Sequence, residues 1–173
     1  MRIVVAMSGG VDSAVAAALL RDRGHEVIGV TMLLFDAPAG EGGRGCCGDA
    51  GVDAARRVAG QLGIPHYTAD FRSEFKRCVI DDFEDQYALG RTPNPCIRCN
   101  DELKFRALVE RASEMGADTI ATGHHARVTI HDDGGWRLER GRDPVKDQTY
   151  FLYRMTQDQL ARVAMPVGEL TKP

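Results

Sequence analysis

A short stretch near the N-terminus combines the residue types that bind phosphate. Residues 7–13 read Met-Ser-Gly-Gly-Val-Asp-Ser, and they follow an apolar run at 3–6 that is typical of a buried parallel strand. Val11, Val15 and Leu19 then recur at the spacing of the inner face of a helix. Because a strand, a two-glycine turn and a helix start present backbone N–H groups and a positive dipole end, we predict an anion-binding loop here.

The side chains of this loop could contribute as well. Ser8 and Ser13 carry hydroxyl donors, and Asp12 could either cap the helix or hold a magnesium ion. The loop is not a Walker motif, because the sequence lacks the lysine of Gly-x-x-x-x-Gly-Lys-Ser/Thr. The simpler alternative is an ordinary Gly-Gly turn capped by Asp12.

Two cysteines form the second candidate site. Cys96 and Cys99 follow a proline-rich turn at 90–95 and precede a predicted helix, whose positive end favours the nucleophilic thiolate; Arg98 lies beside them. Three interpretations compete: a redox or sulfur-carrying pair, two ligands of a metal or iron–sulfur centre, and two buried structural cysteines. A self-contained zinc site is disfavoured, because the sequence has no second Cys-x-x-Cys pair.

Two later segments could contact a nucleotide or RNA. Gly123 follows a predicted strand at 119–122, so the backbone could approach a nucleotide there, and His124 could meet a phosphate or a base. A packed core histidine is the competing interpretation of His124. The polar triplet at 146–148 is followed by aromatic residues, a combination that suits RNA contact, although charge triplets usually lie on the surface.

The composition is that of a globular domain rather than a membrane protein. The 173 residues are 43% hydrophobic and 27% charged, and the net charge of −3 disfavours a dedicated nucleic-acid binder. With no apolar run of membrane-spanning length and no signal peptide, we expect a cytoplasmic protein that does not bind a membrane. The odd count of five cysteines favours reactive or ligating thiols over a disulfide framework, and Cys46 and Cys47 receive no assignment.

Predicted strands and helices alternate along the chain. After the first strand and helix we predict a strand at 26–34, a loop at 36–48, a helix at 49–62, a strand from 64, an acidic solvated helix at 71–89, a helix after Cys99 to about 115, a strand at 119–122, a hairpin at 127–140 and a helix at 156–163. This order predicts an α/β fold, a doubly wound parallel sheet with helices on both faces. Ligands of such sheets bind beyond the carboxyl ends of the strands, where the phosphate loop, Met32, the Cys96 loop and Gly123 can converge.

Several separated motifs resemble those of one enzyme family, the tRNA-uridine 2-sulfurtransferases (tRNA-specific 2-thiouridylases). They are Ser-Gly-Gly-Val-Asp-Ser at 8–13, Cys-Cys-Gly at 46–48, Thr-Pro-Asn-Pro-Cys-x-x-Cys-Asn at 92–100, Ala-Thr-Gly-His at 121–124 and Lys-Asp-Gln-Thr-Tyr-Phe-Leu at 146–152. The first motif also resembles the pyrophosphate-binding loop (PP-loop) of ATP pyrophosphatases. The resemblance implies a three-layer α/β/α, adenine nucleotide alpha-hydrolase-like PP-loop domain over residues 1–165, with 166–173 beginning a connection to a C-terminal region.

The resemblance also implies a two-stage reaction that uses ATP and Mg²⁺. ATP adenylates the C2 oxygen of the wobble uridine in certain tRNAs and releases pyrophosphate; a persulfide sulfur, relayed from a cysteine desulfurase, then displaces AMP. Cys99 would be the catalytic nucleophile of its loop, alongside Cys96. Matching positions assign ATP binding to Ala6, Met7, Ser8, Gly9, Gly10, Val11, Asp12, Ser13, Met32 and Gly123, target-base contact to Asn94, Pro95 and Cys96, and tRNA contact to His124, Lys146, Asp147 and Gln148.

Two departures from the family pattern qualify this assignment. Many family members carry Asp at the position of Cys96, and a related mechanism uses a [4Fe-4S] cluster on three cysteines, of which Cys96 and Cys99 could be two. Family members also continue beyond this length, with a second catalytic cysteine and β-rich domains. Two alternatives therefore stay open: an ATP-binding subunit or module completed by a separate C-terminal chain, and a PP-loop enzyme that adenylates a small molecule.

Overall fold

A parallel sheet, helices on both of its faces and one separate hairpin make up the protein. The computed structural model describes residues 1–36 and 49–172, so Cys46, Cys47 and nearly all of the predicted loop at 36–48 lie outside the described residues. The elements are β1 (Arg2–Ala6), α1 (Val11–Asp22), β2 (Glu26–Leu33), α2 (Asp49–Leu62), β3 (His66–Asp70), α3 (segments Arg72–Phe75, Lys76–Ile80 and Asp81–Ala88), α4 (segments Pro95–Arg98, Cys99–Ala107 and Leu108–Glu114), β4 (Thr119–Ala121), β5 (Ala126–Ile130), β6 (Trp136–Arg140), α5 (Gln157–Ala161) and β7 (Val163–Ala164). The middle segments of α3 and α4 are π-helical, and 3₁₀ turns span Thr149–Leu152 and Pro166–Glu169.

The central sheet confirms the predicted doubly wound arrangement. Its five strands are all parallel and run in the order β3-β2-β1-β4-β7. Val4 of β1 is paired with Ile28 of β2 on one side and with Ile120 of β4 on the other. The chain therefore winds outward in one direction up to β3 and in the other direction from β4. The strand order reverses between β1 and β4, which is where such sheets bind ligands. The predicted hairpin is also present, as the antiparallel pair β5-β6.

Alternate residues of β1 point into two separate hydrophobic cores, one on each face of the sheet. On one face Val4 packs in a cluster with Leu103, Phe105 and Leu108 of α4. On the other face Ile3 and Val5 pack with the alanines of two helices, namely Ala16 and Ala17 of α1 and Ala55 and Ala59 of α2. A strand that is buried on both faces requires the continuous apolar run that the sequence shows, and the three layers follow from it.

The inner face of α1 differs from the predicted one. The sequence favoured Val11, Val15 and Leu19, but Val11 is 63% exposed. The buried residues of this helix are Ser13, Ala16, Ala17 and Leu20. The prediction was wrong for Val11, whereas Val15 is partly buried against the core; two alanines, together with Ser13 and Leu20, are the buried residues of the helix. Short side chains allow the helix backbone to lie close to the strands that it crosses.

The 3₁₀ turn at Pro166–Glu169 packs against this same helix and against the hairpin. Val167, in the 3₁₀ turn after β7, is 2% exposed and belongs to the core beneath α1. The division of the chain at residue 165 stays a prediction. Within the described ranges, no helix combines the length and the apolar character that crossing a membrane requires.

Candidate active site

The predicted phosphate loop connects β1 to α1 at the carboxyl edge of the sheet. Gly10 is the N-cap residue of α1, and no side chain caps this helix end, so Asp12 does not have the capping role that the sequence allowed. Gly9 has a φ of +79°, and a Cβ there would lie 2.5 Å from the carbonyl oxygen of Gly51 in α2. Both the positive φ and this close approach require glycine at position 9.

Ser13 fastens the loop from within. Its hydroxyl oxygen accepts a hydrogen bond from the backbone N–H of Ser8 (3.2 Å) and donates to the carbonyl oxygen of Gly10 (2.9 Å). The proton of Ser13 is therefore committed to the loop, although the sequence had offered both serine hydroxyls as phosphate donors. The Ser8 hydroxyl lies 3.5 Å from that of Ser13, and both residues line a cavity at the strand reversal.

Gly123 brings the end of β4 onto the start of α1. A Cβ at this position would lie 2.5 Å from the backbone nitrogen of Ser13 and 2.6 Å from the carbonyl carbon of Asp12. The sequence predicted a close backbone approach at Gly123, and the structure adds that its nearest neighbour is the phosphate loop itself. The two loops at the strand reversal are thereby held against each other.

A cavity of about 260 Å³ opens where these two loops meet. It contains most of the residues predicted to bind ATP; Gly9 and Val11 do not contribute to its wall. The wall also includes His124 and Gln148, together with four residues that the sequence analysis did not select. The lining residues are Ala6, Met7, Ser8, Gly10, Asp12, Ser13, Val30, Met32, Leu34, Lys104, Thr122, Gly123, His124 and Gln148.

His124 is buried in the wall of this cavity. Its Nδ1 lies 2.8 Å from the hydroxyl of Thr122, and its ring centroid lies 5.9 Å from that of Phe105. Burial first, and then the positive charge of Lys104 and the neighbouring His125, lower the pKa of His124 to about 3. The imidazole is therefore neutral near pH 7, and it can act there as a hydrogen-bonding group rather than as a cation.

Asp12 lines the cavity and carries two basic partners. Lys172 Nζ lies 2.7 Å from its Oδ1, and Nε2 of the buried His125 lies 3.5 Å from the same oxygen. Burial alone would raise the pKa of Asp12, but the hydrogen bonds from Lys172 and His125 outweigh burial and lower it. The carboxylate is therefore ionised at neutral pH.

Asn94 and Pro95 start the helix that carries the two cysteines. The Asn94 side chain accepts a hydrogen bond from the backbone N–H of Cys96 at 3.0 Å, and Pro95 occupies the first helical position. The prediction of a helix beginning after Cys99 was therefore wrong by one turn, because proline is favoured in a first turn and not only before one. Cys96 is exposed and not in a disulfide, whereas Cys99 is half-buried and packs against the core.

Arg98 ties this helix start to α3. It forms two hydrogen bonds of 3.1 Å to the carboxylate of Asp82 and lies 3.5 Å from Glu102. The sequence predicted a solvated acidic face on α3. That prediction was wrong for Asp82, because its partner lies 16 residues along the chain on another helix.

Asn100 connects the cysteine helix to the segment at 146–152. Its side-chain N–H donates to the carbonyl oxygen of Phe151 (3.1 Å), and its side-chain oxygen accepts from Lys104 Nζ (2.9 Å). Lys104 then reaches the cavity wall. The sequence offered one clue to Lys104, namely its position four residues after Asn100 on the same predicted helix.

The predicted tRNA-contacting triplet divides into three different environments. Gln148 lines the cavity and accepts a hydrogen bond from the backbone N–H of His125 (2.9 Å). Asp147 accepts hydrogen bonds from Gly141 N–H (3.0 Å) and the Thr149 hydroxyl (2.7 Å), so it braces its own loop. Lys146 is exposed.

The described residues offer one cavity carboxylate for a magnesium ion and two thiols for an iron–sulfur cluster. Across residues 1–36 and 49–172, no group of three or more His, Cys, Asp and Glu side chains could hold a metal ion. Mg²⁺ is commonly bound through one carboxylate together with substrate phosphates, and Asp12 supplies such a carboxylate. A cluster held by three cysteines has no third ligand beside Cys96 and Cys99 in the described part of the chain.

The parallel sheet, its glycine-rich first loop and the cavity at the strand reversal define a HUP-type, PP-loop-like α/β domain. The chain belongs to the family whose model is described as "tRNA methyl transferase HUP domain", which matches residues 1–173. A solved structure described as a predicted subunit of tRNA methyltransferase from Methanocaldococcus jannaschii has the same fold. Its TM-score is 0.53 at 15% identity, over 96% of this chain and 67% of that one.

Curated relatives with much higher identity carry a different description. The chain is 57% identical to the "tRNA-specific 2-thiouridylase MnmA" of Geobacter metallireducens, over 99% of this chain and 48% of the relative. It is 54% identical to the protein of that name in Carboxydothermus hydrogenoformans, again over 99% of this chain and 48% of the relative. The chain thus spans about half the length of the curated relatives that it matches.

Proposed function

We propose that this chain is the ATP-dependent adenylating part of a tRNA-uridine 2-sulfurtransferase, which converts the wobble uridine of tRNA to 2-thiouridine. The observation that carries the proposal is the cavity at the strand reversal. It joins the phosphate loop to Gln148 and to Lys104, and Lys104 lies on the same helix as Cys96 and Cys99. Lys104 lies five positions after Cys99, which is at most about 8 Å along a helix axis. The description of the curated relatives supports the same substrate and product.

The first step would be adenylation of the base. The phosphate loop and the start of α1 would bind the phosphates of ATP, and Asp12 would hold Mg²⁺, which neutralises charge on the leaving pyrophosphate. The apolar wall at Val30, Met32 and Leu34 would cover the adenosine. The C2 oxygen of the uridine forms a bond to the α-phosphorus, the bond between that phosphorus and the β-bridging oxygen breaks, and pyrophosphate departs.

The second step would be sulfur transfer. The terminal sulfur of a donor persulfide attacks C2, and AMP leaves with the former C2 oxygen and the electron pair of the C2–O bond. The thiolate of Cys99 then attacks the donor's inner sulfur, so the sulfur–sulfur bond breaks and one sulfur stays on the base. The resulting disulfide between Cys99 and the donor cysteine requires reduction by an external thiol. Asn94, Pro95 and the exposed Cys96 lie at the helix start beside Cys99, where the target base would be contacted.

The remaining partners belong to the same proposal. A donor relay fed by a cysteine desulfurase would supply the persulfide, and a C-terminal region or separate chain would supply the donor cysteine. The relatives' extra length supports a C-terminal contribution. The domain would then comprise residues 1–165, and 166–173 would begin the connection.

The test is release of AMP and pyrophosphate from labelled ATP, with and without unmodified tRNA. We expect AMP only when tRNA is present, and we expect Asp12→Ala to abolish it. Asp22→Ala is the matched control, because Asp22 is an exposed acid at the opposite end of the same helix. Equal AMP release without tRNA would contradict the proposal and favour a small-molecule acceptor. Tight ATP binding without turnover in either condition would favour the alternative of an ATP-binding module.

A further inference from the structure

Lys104, which lies on α4, brings to the cavity a lysine side chain that the phosphate loop itself lacks. The loop lacks the lysine of a Walker motif, and among the described residues that line the cavity Lys104 is the one lysine or arginine. His124, the neighbouring basic group, is neutral because burial lowers its pKa to about 3. Among the described residues that line the cavity, Lys104 is therefore the side-chain cation that a nucleotide phosphate would meet.

The ammonium group of Lys104 is held by a buried amide. Asn100 is 4% exposed, and its two side-chain polar atoms bond to Lys104 Nζ and to the carbonyl oxygen of Phe151. Because the amide nitrogen must donate to Phe151, its oxygen has to face the lysine, and this fixes the orientation of Asn100. An ammonium has three donor hydrogens and this bond uses one of them, which leaves donors for a ligand.

The local helix geometry relates Lys104 to the cysteine loop, which is residues 94–100 at the start of α4. The segment Cys99–Ala107 is π-helical, so its hydrogen bonds join residues five apart rather than four. Residue 104 therefore lies one turn above residue 99 on nearly the same side of the helix. In a regular α-helix five residues would place the two positions about 140° apart. The π-helical turn thus brings the side of the helix that carries Lys104 closer to the side that carries Cys99.

We propose that Lys104 binds the α-phosphate of ATP and of the adenylated uridine, and that Asn100 is its positioning residue. This inference rests on the function proposed above. The α-phosphate is the group that remains when pyrophosphate departs, and it becomes the AMP leaving group when sulfur attacks. A Lys104 N–H donated to a non-bridging oxygen stabilises the negative charge at both stages, and the proton stays on Nζ throughout. The phosphate loop keeps the β- and γ-phosphates.

Ligands that carry only some of the phosphates of ATP can distinguish binding of the α-phosphate by Lys104 from a non-specific attraction of any phosphate group. AMP carries only the α-phosphate, whereas pyrophosphate reproduces only the β- and γ-phosphates. For Lys104→Met we expect AMP affinity to fall by about tenfold or more, since hydrogen bonds to charged groups contribute about 1.5–3 kcal/mol. Pyrophosphate affinity should stay within about twofold. Titrations of the chain with AMP, pyrophosphate and Mg·ATP measure all three, and Lys76→Met is the matched control, because that side chain is 72% exposed on α3.

The positioning role of Asn100 has its own readout. We expect Asn100→Ala to weaken AMP binding less than Lys104→Met does, and the double variant to be no weaker than Lys104→Met alone. Such non-additivity is expected when one residue acts only through another. Additive losses would assign Asn100 an independent role and overturn that part of the proposal. If Lys104→Met unfolds, Lys104→Gln retains a polar end and serves in its place.

The outcomes distinguish the inference from the function on which it rests. A wild-type chain that binds none of the three ligands would refute the proposed function. A wild-type chain that binds them, with Lys104→Met indistinguishable from Lys76→Met, would refute the role of Lys104 alone. Loss of pyrophosphate affinity instead of AMP affinity would move the lysine to the β- and γ-phosphates, and the assignment to the α-phosphate would be wrong.

Discussion

The phosphate loop and the cysteine loop are the two chemical regions of this molecule, and they are held in opposite ways. The phosphate loop at 7–13 lies between two strand ends, with the Ser13 hydroxyl bonded inside it and Gly123 pressed against its backbone. The cysteine loop leaves Cys96 exposed and is held by an asparagine cap and by the Arg98–Asp82 pair. A loop that binds phosphate through backbone N–H groups needs a fixed backbone, whereas a loop that receives a base and a sulfur donor needs access.

The largest expected effect follows from Gly123→Ala, which disturbs the rigidly held phosphate loop. Its new Cβ would overlap the backbone of Asp12 and Ser13, and backbone atoms cannot move aside as a flexible side chain can. We expect a loss of about 2–3 kcal/mol in the free energy of unfolding, as for overpacking, and loss of ATP binding. Urea unfolding and nucleotide titration measure these effects.

Gly60→Ala is the matched control for this variant. Gly60 lies within α2, and nothing is within 4 Å of the place that an alanine methyl group would take there. Alanine at this position should be neutral or stabilising by up to about 1 kcal/mol. Equal stability and equal ATP binding for Gly123→Ala and Gly60→Ala would show that the loops do not depend on their close contact.

The pH dependence of stability should report the burial of His124 behind the phosphate loop. The pKa of His124 is about 3 in the folded chain against 6.5 ordinarily, so between these values the unfolded chain binds more protons. The stabilisation from the neutral imidazole is therefore fully present above pH 6.5 and is lost as the pH falls toward 3. Burial also lowers the pKa of His66, which adds in the same direction.

His124→Asn isolates the contribution of His124, since an amide can keep a hydrogen bond to Thr122 but does not titrate. We expect its free energy of unfolding to fall less steeply than that of the wild type between pH 7.5 and about pH 4.5. Identical slopes for the wild type and His124→Asn would refute the burial argument.

Asn94→Ala tests whether the cysteine loop is held independently of the phosphate loop. Loss of an N-cap hydrogen bond costs about 1 kcal/mol, so this variant should be less stable than the wild type by that amount and should still bind ATP. Retention of ATP binding is the informative result, because it would show that the phosphate loop binds ATP without an intact cysteine loop. Loss of ATP binding at full folding would show that the cysteine loop and the phosphate loop act as one unit. Asn100 offers no such separation, since it contacts Lys104.

The smallest expected effect comes from Lys172→Met. The Lys172–Asp12 pair is about one-third exposed on both sides, so its removal should change the free energy of unfolding by no more than about 1 kcal/mol. The pKa of the Asp12 carboxyl should rise, because one of the hydrogen bonds that lower it is lost. A carbon-13 NMR titration of the Asp12 carboxyl measures this change, and an unchanged pKa would contradict the pairing.

Local pattern predicted the parts of this molecule whose cause is local. The apolar run at 3–6, the Gly-Gly turn and the alternation of strands and helices each depend on neighbouring residues, and the parallel sheet followed correctly from them. The inner face of α1 was predicted only in part, because helix periodicity indicates where branched residues recur but does not show how closely a backbone can approach a sheet. Ala16 and Ala17, which were not selected, face the core for that reason.

The residues of the site show the same division between what the local sequence determines and what tertiary contacts determine. The residue types at 7–13 and at 94–100 determined which reactions are feasible, because glycine, serine, aspartate and cysteine have their properties wherever the chain puts them. Tertiary structure alone decided that Ser13 bonds inward, that Lys104 reaches the cavity and that Asp82 pairs with Arg98. Each of these depends on contacts between segments that only folding brings together, and hydrogen bonds and charge pairs act over a few ångströms of space rather than along the sequence.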